Sequence, residues 1–312
     1  MEPRRDPPGV LVVTGPTASG KSALALAFAE RRGGVVINAD AMQTYDAFPL
    51  LTAQPTAEER QCAPHVLYGI LPLAETLSAA RWRDLAAREI EACHAAGRTA
   101  VLCGGSGLYL RSLAKGIAAV PDVPPEVRDE ANADWLALGP AAFRARLEER
   151  DPGLVARLAP GDRQRHVRGW EVWRATGRPL TAWQAVPATP PPWRFTTVLL
   201  APERAWLRRR IETRFDSMLR AGVAAEVRAV FDRNPDPRWP GLKAHGAPEF
   251  FAHFRGRLDL DGVRRIAIDH TCQYAKRQMT WFRHQVVPDL VVSPETDGAW
   301  DAVEKYLTKT AA

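Results

Sequence analysis

Gly15-Pro16-Thr17-Ala18-Ser19-Gly20-Lys21-Ser22 completes a G-x-x-x-x-G-K-[ST] pattern. The apolar run Val10-Leu11-Val12-Val13 precedes it and an Ala/Leu-rich stretch, Ala23 to Ala29, follows. Strand, glycine turn and helix are the context in which this pattern cradles phosphate. Backbone N–H groups of the loop and of the helix N-terminus converge on the anion, Lys21 adds a point charge, and the Ser22 hydroxyl can ligate Mg²⁺. The competing reading is a glycine-rich structural turn. The loop does not say which polyphosphate it grips, because nothing in it contacts a base.

Working outward, short β-branched or apolar runs recur between longer helical stretches: Val10 to Thr14, Val35 to Asn38, Thr99 to Cys103, Phe195 to Ala201 and Leu290 to Ser293. That alternation predicts an α/β fold, a P-loop-type parallel sheet flanked by helices. Gly15 to Ser22, Asp40 to Gln43 and Gly104 to Tyr109 each lie just past the C-terminal end of one of the first three strands. Ligands in open α/β sheets bind at that edge, so these three motifs should meet in one cleft. From Pro121 to Trp193 the chain reads as helices only, with an amphipathic Ala141 to Glu149, an Arg/Trp-rich Arg163 to Ala175 and a proline linker, Pro187 to Pro192. The expected organisation is a core of residues 1–120 and 195–312 around an inserted all-helical domain, 121–194. Glu203 to Arg233 carries helical apolar spacing, with Gly222 placed to break it and Arg210 and Arg214 sharing one edge.

Composition sets the outer bounds. With 312 residues, 46% hydrophobic and 25% charged, the chain has the make-up of an ordinary globular protein, and no apolar run approaches the roughly 18 residues of a membrane span. Met1 to Pro8 is polar and proline-rich without an apolar signal core, so a cytoplasmic enzyme is expected. Cys62, Cys93, Cys103 and Cys272 lack C-x-x-C spacing, which indicates neither zinc nor a disulfide framework. The net charge of +6 is compatible with an anionic macromolecular partner.

Asp40, two residues past a predicted strand, reads either as a helix N-cap or as a carboxylate that acts as base or orients magnesium. Gly104-Gly105-Ser106-Gly107 follows the strand where many nucleotide hydrolases place a metal-binding acid, and no acid is there. The glycines allow close backbone approach and Ser106 supplies a hydroxyl, an arrangement that suits binding a diphosphate better than hydrolysing ATP. Arg163 to Arg178 holds arginines at 163, 165, 168, 174 and 178 against one acid, Glu171. Lys276-Arg277-Gln278-Met279-Thr280-Trp281-Phe282-Arg283 interleaves cations with aromatics and contains no acid. These clusters are either solvated faces over a core or contacts to single-stranded RNA loops, whose bases can be stacked.

Taken together, GPTASGKS, INADAMQTYD (Ile37–Asp46), TAQP (Thr52–Pro55), APH (Ala63–His65), GGSGLYLRSL (Gly104–Leu113), DRQRHVRGWEVWRATGRPLTAWQ (Asp162–Gln184), RIETRFDSML (Arg210–Leu219) and QYAKRQMTWFR (Gln273–Arg283) resemble the bacterial tRNA dimethylallyltransferase family. The likeness spans about Val12 to Arg283. It implies transfer of the isopentenyl group of dimethylallyl diphosphate to N6 of adenine 37 beside the anticodon, with Mg²⁺ as cofactor. By that resemblance Gly15, Pro16, Thr17, Ala18, Ser19, Gly20, Lys21 and Ser22 hold the diphosphate, and Asp40 is the general base. Ser106 keeps the hydroxyl of a usual Thr, and Arg214 faces the leaving diphosphate. Asp40, Ala41, Met42, Gln43, Ser106, Arg128 and the run Gln164, Arg165, His166, Val167, Arg168 match tRNA-contacting positions. Lys276, Arg277, Gln278, Trp281 and Arg283 join them from the basic-aromatic segment. Two departures stand out: the usual Gly-Tyr-Arg is Gly246-Ala247-Pro248, and the Lys of T-A-K-P is Gln54. A monomer is expected. A small-molecule P-loop kinase, which would not need the C-terminal segment, and a nucleotide-gated RNA-binding protein, which would not need Asp40, are the rival readings.

Overall fold

The computed structural model describes residues 8–187 and 191–310. Met1 to Asp6, Pro7 and the middle of the proline linker lie outside the described residues. Among the described residues, six strands form one parallel sheet in the order β3-β2-β4-β1-β5-β6: β1 Gly9–Thr14, β2 Val35–Asn38, β3 His65–Val66, β4 Ala100–Gly104, β5 Arg194–Leu200 and β6 Leu290–Val292. Every residue of β2 and β4, and all of β1 after Gly9, is buried. Such continuous apolar runs are what a sheet covered on both faces requires, and each large aliphatic buried there is worth about 1.5–3 kcal/mol.

The helices are α1 Lys21–Arg31, α2 Ala57–Cys62, α3 Ala79–Ala95, α4 Gly107–Lys115, α5 Pro125–Glu148, α6 Pro152–Val155, α7 Arg163–Thr176, α8 Leu180–Gln184, α9 Arg204–Arg220, α10 Val223–Phe231, α11 Ala247–Phe254, α12 Leu260–Gln285 and α13 Ala299–Thr310. Leu24, Ala25, Phe28 and Ala29 of α1 recur at helical spacing and bury against Val13, Val101 and Val198, with Val303 and Leu307 of α13 in the same core. On α3, Ser78 caps the N-terminus by accepting from Arg81 N–H, and Trp82 stacks on Tyr109 with ring centroids 4.5 Å apart. The Trp82 indole N–H donates to Asn38 O at 2.9 Å, fixing the end of β2 from which Asp40 projects.

The chain divides into two compact units, 1–114 with 191–312, and 115–190. The second has a core of its own, in which Trp135, Phe143, Leu147, Val155 and Trp170 are buried. Ala141 to Glu149 is the second half of a helix that breaks at Gly139, whose φ of +74° falls one residue before Pro140. Gly222, at φ +93°, separates α9 from α10. The two-residue edge strand β3 is absent from the sequence reading because so short and half-buried a run carries no alternation to detect.

β1 lies centrally, between β4 and β5, so the strand order turns at its C-terminal end and opens the crevice there. Gly104 closes the crevice's floor: a Cβ on it would fall on the carbonyl carbon and oxygen of Ala39. Gly104→Ala should therefore destabilise the protein by about 2 kcal/mol or more, read as a lowered midpoint in urea unfolding. An unchanged midpoint would mean the two loops separate freely.

Candidate active site

The phosphate loop is bent by residues with left-handed backbones. Gly20 (φ +91°) begins α1, and Ala18 (φ +63°) takes a conformation that L-residues adopt at a cost. Ser19 N–H donates to Pro16 O at 3.2 Å, and Lys21 Nζ reaches Pro16 O at 3.3 Å. Among the described residues no acceptor meets the backbone N–H of Ala18, Gly20, Lys21 or Ser22, which leaves these donors to an anion. Thr17 differs from them. Its N–H donates to Gln278 Oε1 at 2.9 Å, and its hydroxyl accepts from Arg214 Nη2 at 2.8 Å. The Ser19 hydroxyl is buried and has no partner among the described residues, one more polar group at the loop with unused capacity.

Asp40 is set by a dense backbone network. Asn38 Oδ1 accepts from Asp40 N–H at 2.8 Å, and its Nδ2 donates to Asp40 O and Leu67 O, both at 3.0 Å. Ala41 N–H donates to Ser106 Oγ at 2.9 Å, which ties the loop to the start of α4. Asp40 Oδ1 accepts from Met42 N–H at 3.0 Å. Asp40 is not a helix N-cap: Ala41 holds that position ahead of the single 3-10 turn Met42–Thr44, and one Asp40 carboxylate oxygen only closes the two-residue turn to Met42, while the other has no hydrogen-bond partner among the described residues. Gln43 Nε2 donates to Thr52 O and Ala53 O, so this residue secures the 50s loop.

Thr17, Asp40, Thr52, Arg214 and Met218 line two adjoining cavities. The larger, about 580 Å³, is walled by Ala18, Gly20, Lys21 and Ser22 of the loop and by Arg210, Thr213 and Ser217 of α9. The smaller, about 70 Å³, has a mixed lining: Leu51, Ile211, Phe215 and Met218 share its wall with Thr17, Asp40, Arg214, His245 and Tyr274. Burial lowers the pKa of Lys21, opposed by the charge of Asp40. Burial likewise pushes Arg214 down to about 10, again with Asp40 as the opposing charge and Arg210 adding to the shift. Two desolvated cations therefore face one carboxylate. The excess positive charge is a standing attraction for a polyanion.

The other sequence-predicted positions sort by burial. Gln164 and Arg165 are exposed on the first turn of α7, where Arg165 pairs with Asp162 at 3.1 Å, and Arg168 pairs with Glu171 at 3.3 Å. Burial raises the pKa of Glu171, opposed by Arg168 and, more weakly, by Arg128. His166 and Val167 must be corrected: both side chains are buried in the insert core, His166 beside Trp135 with Nδ1 at Asp162 O. Lys276, Arg277 and Arg283 are exposed on α12, and Trp281 is half-buried against Gly107. Phe282 is core, and Gln278, 5% exposed, faces inward to the phosphate loop, so its amide is not presented for RNA contact. His245 and Tyr274 went unnoticed in the sequence, although Tyr274 lies one turn from Gln278 on the same face of α12. Of the two departures, Gln54 is buried with its Nε2 donating to Tyr45 O, and Gly246 opens α11 with its N–H held by Glu249 Oε2.

Fold and site together define a phosphate-loop α/β protein with a cationic cavity beside a carboxylate. Residues 43–285 match the IPP transferase family. The tRNA dimethylallyltransferase of Rhodospirillum centenum is 53% identical over 299 residues, 95% of each chain. That of Acidiphilium cryptum is 50% identical over 281 residues, 90% of this chain and 85% of the relative. Among solved structures, the tRNA isopentenylpyrophosphate transferase of Bacillus halodurans superposes with a TM-score of 0.69 at 28% identity, over 97% of this chain and 96% of that one. A eukaryotic dimethylallyltransferase acting on tRNA shares the fold at a TM-score of 0.81 and 22% identity, over 96% of this chain and 78% of that one. The chain belongs to the IPP transferase family.

His245 gives the site a pH signature. Burial holds its imidazole below the ordinary 6.5, reinforced by Arg277 and His270 and opposed by Glu249 and Asp40. As pH falls below 6.5 the unfolded chain takes up a proton that the folded chain still refuses, so stability drops until the folded pKa is passed. In urea unfolding, His245→Gln should lose less stability than wild type between about pH 7 and 5. Equal slopes would remove His245 from the linkage.

Proposed function

We propose that the chain transfers the dimethylallyl group of dimethylallyl diphosphate to N6 of adenine 37 in the anticodon loop of tRNA, giving N6-isopentenyladenosine. The observation that carries this reading is the carboxylate of Asp40 in the cavity lined by Lys21, Arg214 and the phosphate loop. The reaction needs opposite things at its two ends. The allylic C–O bond breaks and its electron pair stays on the diphosphate, so that end needs cations and N–H donors. The adenine N6 lone pair forms the new C–N bond and loses a proton, so that end needs a carboxylate.

Each residue has its part. Lys21, Arg214 and the loop N–H groups would hold the diphosphate, and Thr17 presents its hydroxyl while Gln278 occupies its N–H. Leu51, Ile211, Phe215 and Met218 offer an uncharged wall for the allylic tail. Asp40 would accept the N6 proton on the oxygen not used by Met42. Ser106 acts through its bond to Ala41, holding the Asp40 loop. A Mg²⁺ ion would find hard oxygen donors in the exposed Ser22 hydroxyl and the diphosphate itself, and would add charge neutralisation there. Adenine 37 must leave its stack to enter, which is cheapest in a single-stranded loop. Because every group in this scheme comes from one chain, a monomer suffices, and we place the reaction in the cytoplasm with its tRNA.

Label transfer from dimethylallyl diphosphate to an anticodon stem-loop, with ATP as control donor, tests the reading directly. Asp40→Asn keeps an acceptor for Met42 N–H but removes the base, and should slow transfer by a factor on the order of 10² with tRNA affinity unchanged. Equal losses of affinity and rate would reduce Asp40 to a structural role.

The RNA surface yields a second measurement. Arg165 and Arg168 already have acidic partners, whereas among the described residues no carboxylate lies within ion-pair distance of Lys276 or Arg277. Lys276→Ala and Arg277→Ala should each weaken tRNA binding and lower the slope of log K against log salt by about 0.7. Donor affinity should stay constant. If neither slope moves, the RNA is held elsewhere.

A further inference from the structure

Gln278 sits at a position of α12 where a hydrophobic residue would be expected. Its neighbours on that face, Ala275 and Phe282, are buried, and the Gln278 side chain is 5% exposed. A carboxamide placed there costs free energy unless both its ends are satisfied. Both are. Oε1 accepts Thr17 N–H at 2.9 Å, and Nε2 donates to Gly105 O at 2.9 Å. The fit is close enough that a Cβ on Gly105 would fall on the Gln278 amide nitrogen.

The two bonded loops are those that bracket the chemistry. Thr17 carries the hydroxyl that receives Arg214, on the diphosphate side. Gly105 precedes Ser106, whose hydroxyl accepts Ala41 N–H next to Asp40. Tyr274, one turn before Gln278, places its hydroxyl beside both the Ser106 and the Gln278 side chains and also lines the small cavity.

We propose that Gln278 is a positioning residue for transfer, its amide fixing the phosphate loop relative to the loop that carries Asp40. This rests on the prenyl-transfer reading for its kinetic part. It touches neither substrate; it sets the distance over which the allylic carbon and N6 must meet, where a displacement near 1 Å costs about 100-fold. Because Lys276 and Arg277 are exposed on the outer side of the same helix, RNA held there bears on both loops through one rigid element.

The test uses the full chain with Gln278→Met, which keeps the volume and removes both bonds, and Gln278→Glu. Three quantities are read: affinity for inorganic pyrophosphate with Mg²⁺ by calorimetry, steady-state transfer, and tRNA affinity. Gln278→Met should weaken pyrophosphate about 10-fold and lower kcat at least 10-fold, with tRNA affinity within two-fold of wild type. Gln278→Glu should show a ratio of its kcat/KM to wild type that rises as pH falls. The protonated carboxyl again accepts from Thr17 and donates to Gly105, while the ionised one repels the Gly105 carbonyl and the diphosphate. Unchanged pyrophosphate affinity and kcat in Gln278→Met would overturn the proposal, as would parallel losses in all three quantities with a pH-independent ratio. A wild-type chain that moves no prenyl group to tRNA would sink the functional reading alone, since the pyrophosphate arm still decides whether Gln278 holds the loop.

Discussion

Two desolvated cations, Lys21 buried and Arg214 half-buried, share one carboxylate. Lys21 and Arg214 are both shifted down by burial, and Asp40 is the charge that opposes each shift. An arrangement so rich in desolvated positive charge would relax if its parts were free to move, because each cation gains by reaching water. The surrounding structure denies them that freedom. Lys21 is held by Pro16 O and Arg214 by Thr17 Oγ1, Asp40 is fixed through Asn38 and Met42, and Asn38 is locked by Trp82 from beneath the sheet. The charge imbalance is thus stored in the free protein, ready for an anion that repays it.

How much of this could be read beforehand depends on how local the cause was. The phosphate loop, the strands around it and the helical insert follow from patterns a few residues wide, and the insert's limits move only from 121 and 194 to 115 and 190. Arg214 and Arg210 were identifiable because a helix repeats at four residues, which places both on the α9 edge that lines the larger cavity. Errors came where the side chain's direction decided the matter. Gln164 to Arg168 is one basic run in sequence, yet the helix turns His166 and Val167 into the core and leaves Gln164 and Arg165 outside. Lys276 to Arg283 divides the same way, with Gln278 and Phe282 inward. Applying the 3.6-residue period to that segment, rather than its composition, separates the two sets.

Other features had no sequence signal at all. β3 is two residues long and owes its place to the register of β2. The loop pattern counts Thr17 among the residues that hold phosphate, but an acceptor 261 residues further on claims its N–H. Only tertiary structure reveals such a contact, and it changes which loop atoms are available to a ligand.

The two departures from the family pattern find physical explanations of different kinds. Gln54 is buried and spends its amide on Tyr45 O and Thr52 Oγ1, so a lysine there would need another anchor for the same turn; the residue has become part of the scaffold. At Gly246-Ala247-Pro248 the long side chains are replaced by a backbone device. Gly246 takes φ +103°, Glu249 accepts its N–H, and the same Glu249 meets His270 Nδ1 at 2.6 Å on α12. The segment is thereby pinned to α12, and the side chain it sends into the small cavity is that of His245, packed on Tyr274 with ring centroids 4.9 Å apart. Tyr274 adjoins Gln278 in turn, so the replaced motif and the phosphate loop end on the same helix face. What a pair of long polar side chains would do by reaching, this chain does by docking a tight turn against α12, and the cost is a wall whose imidazole resists protonation.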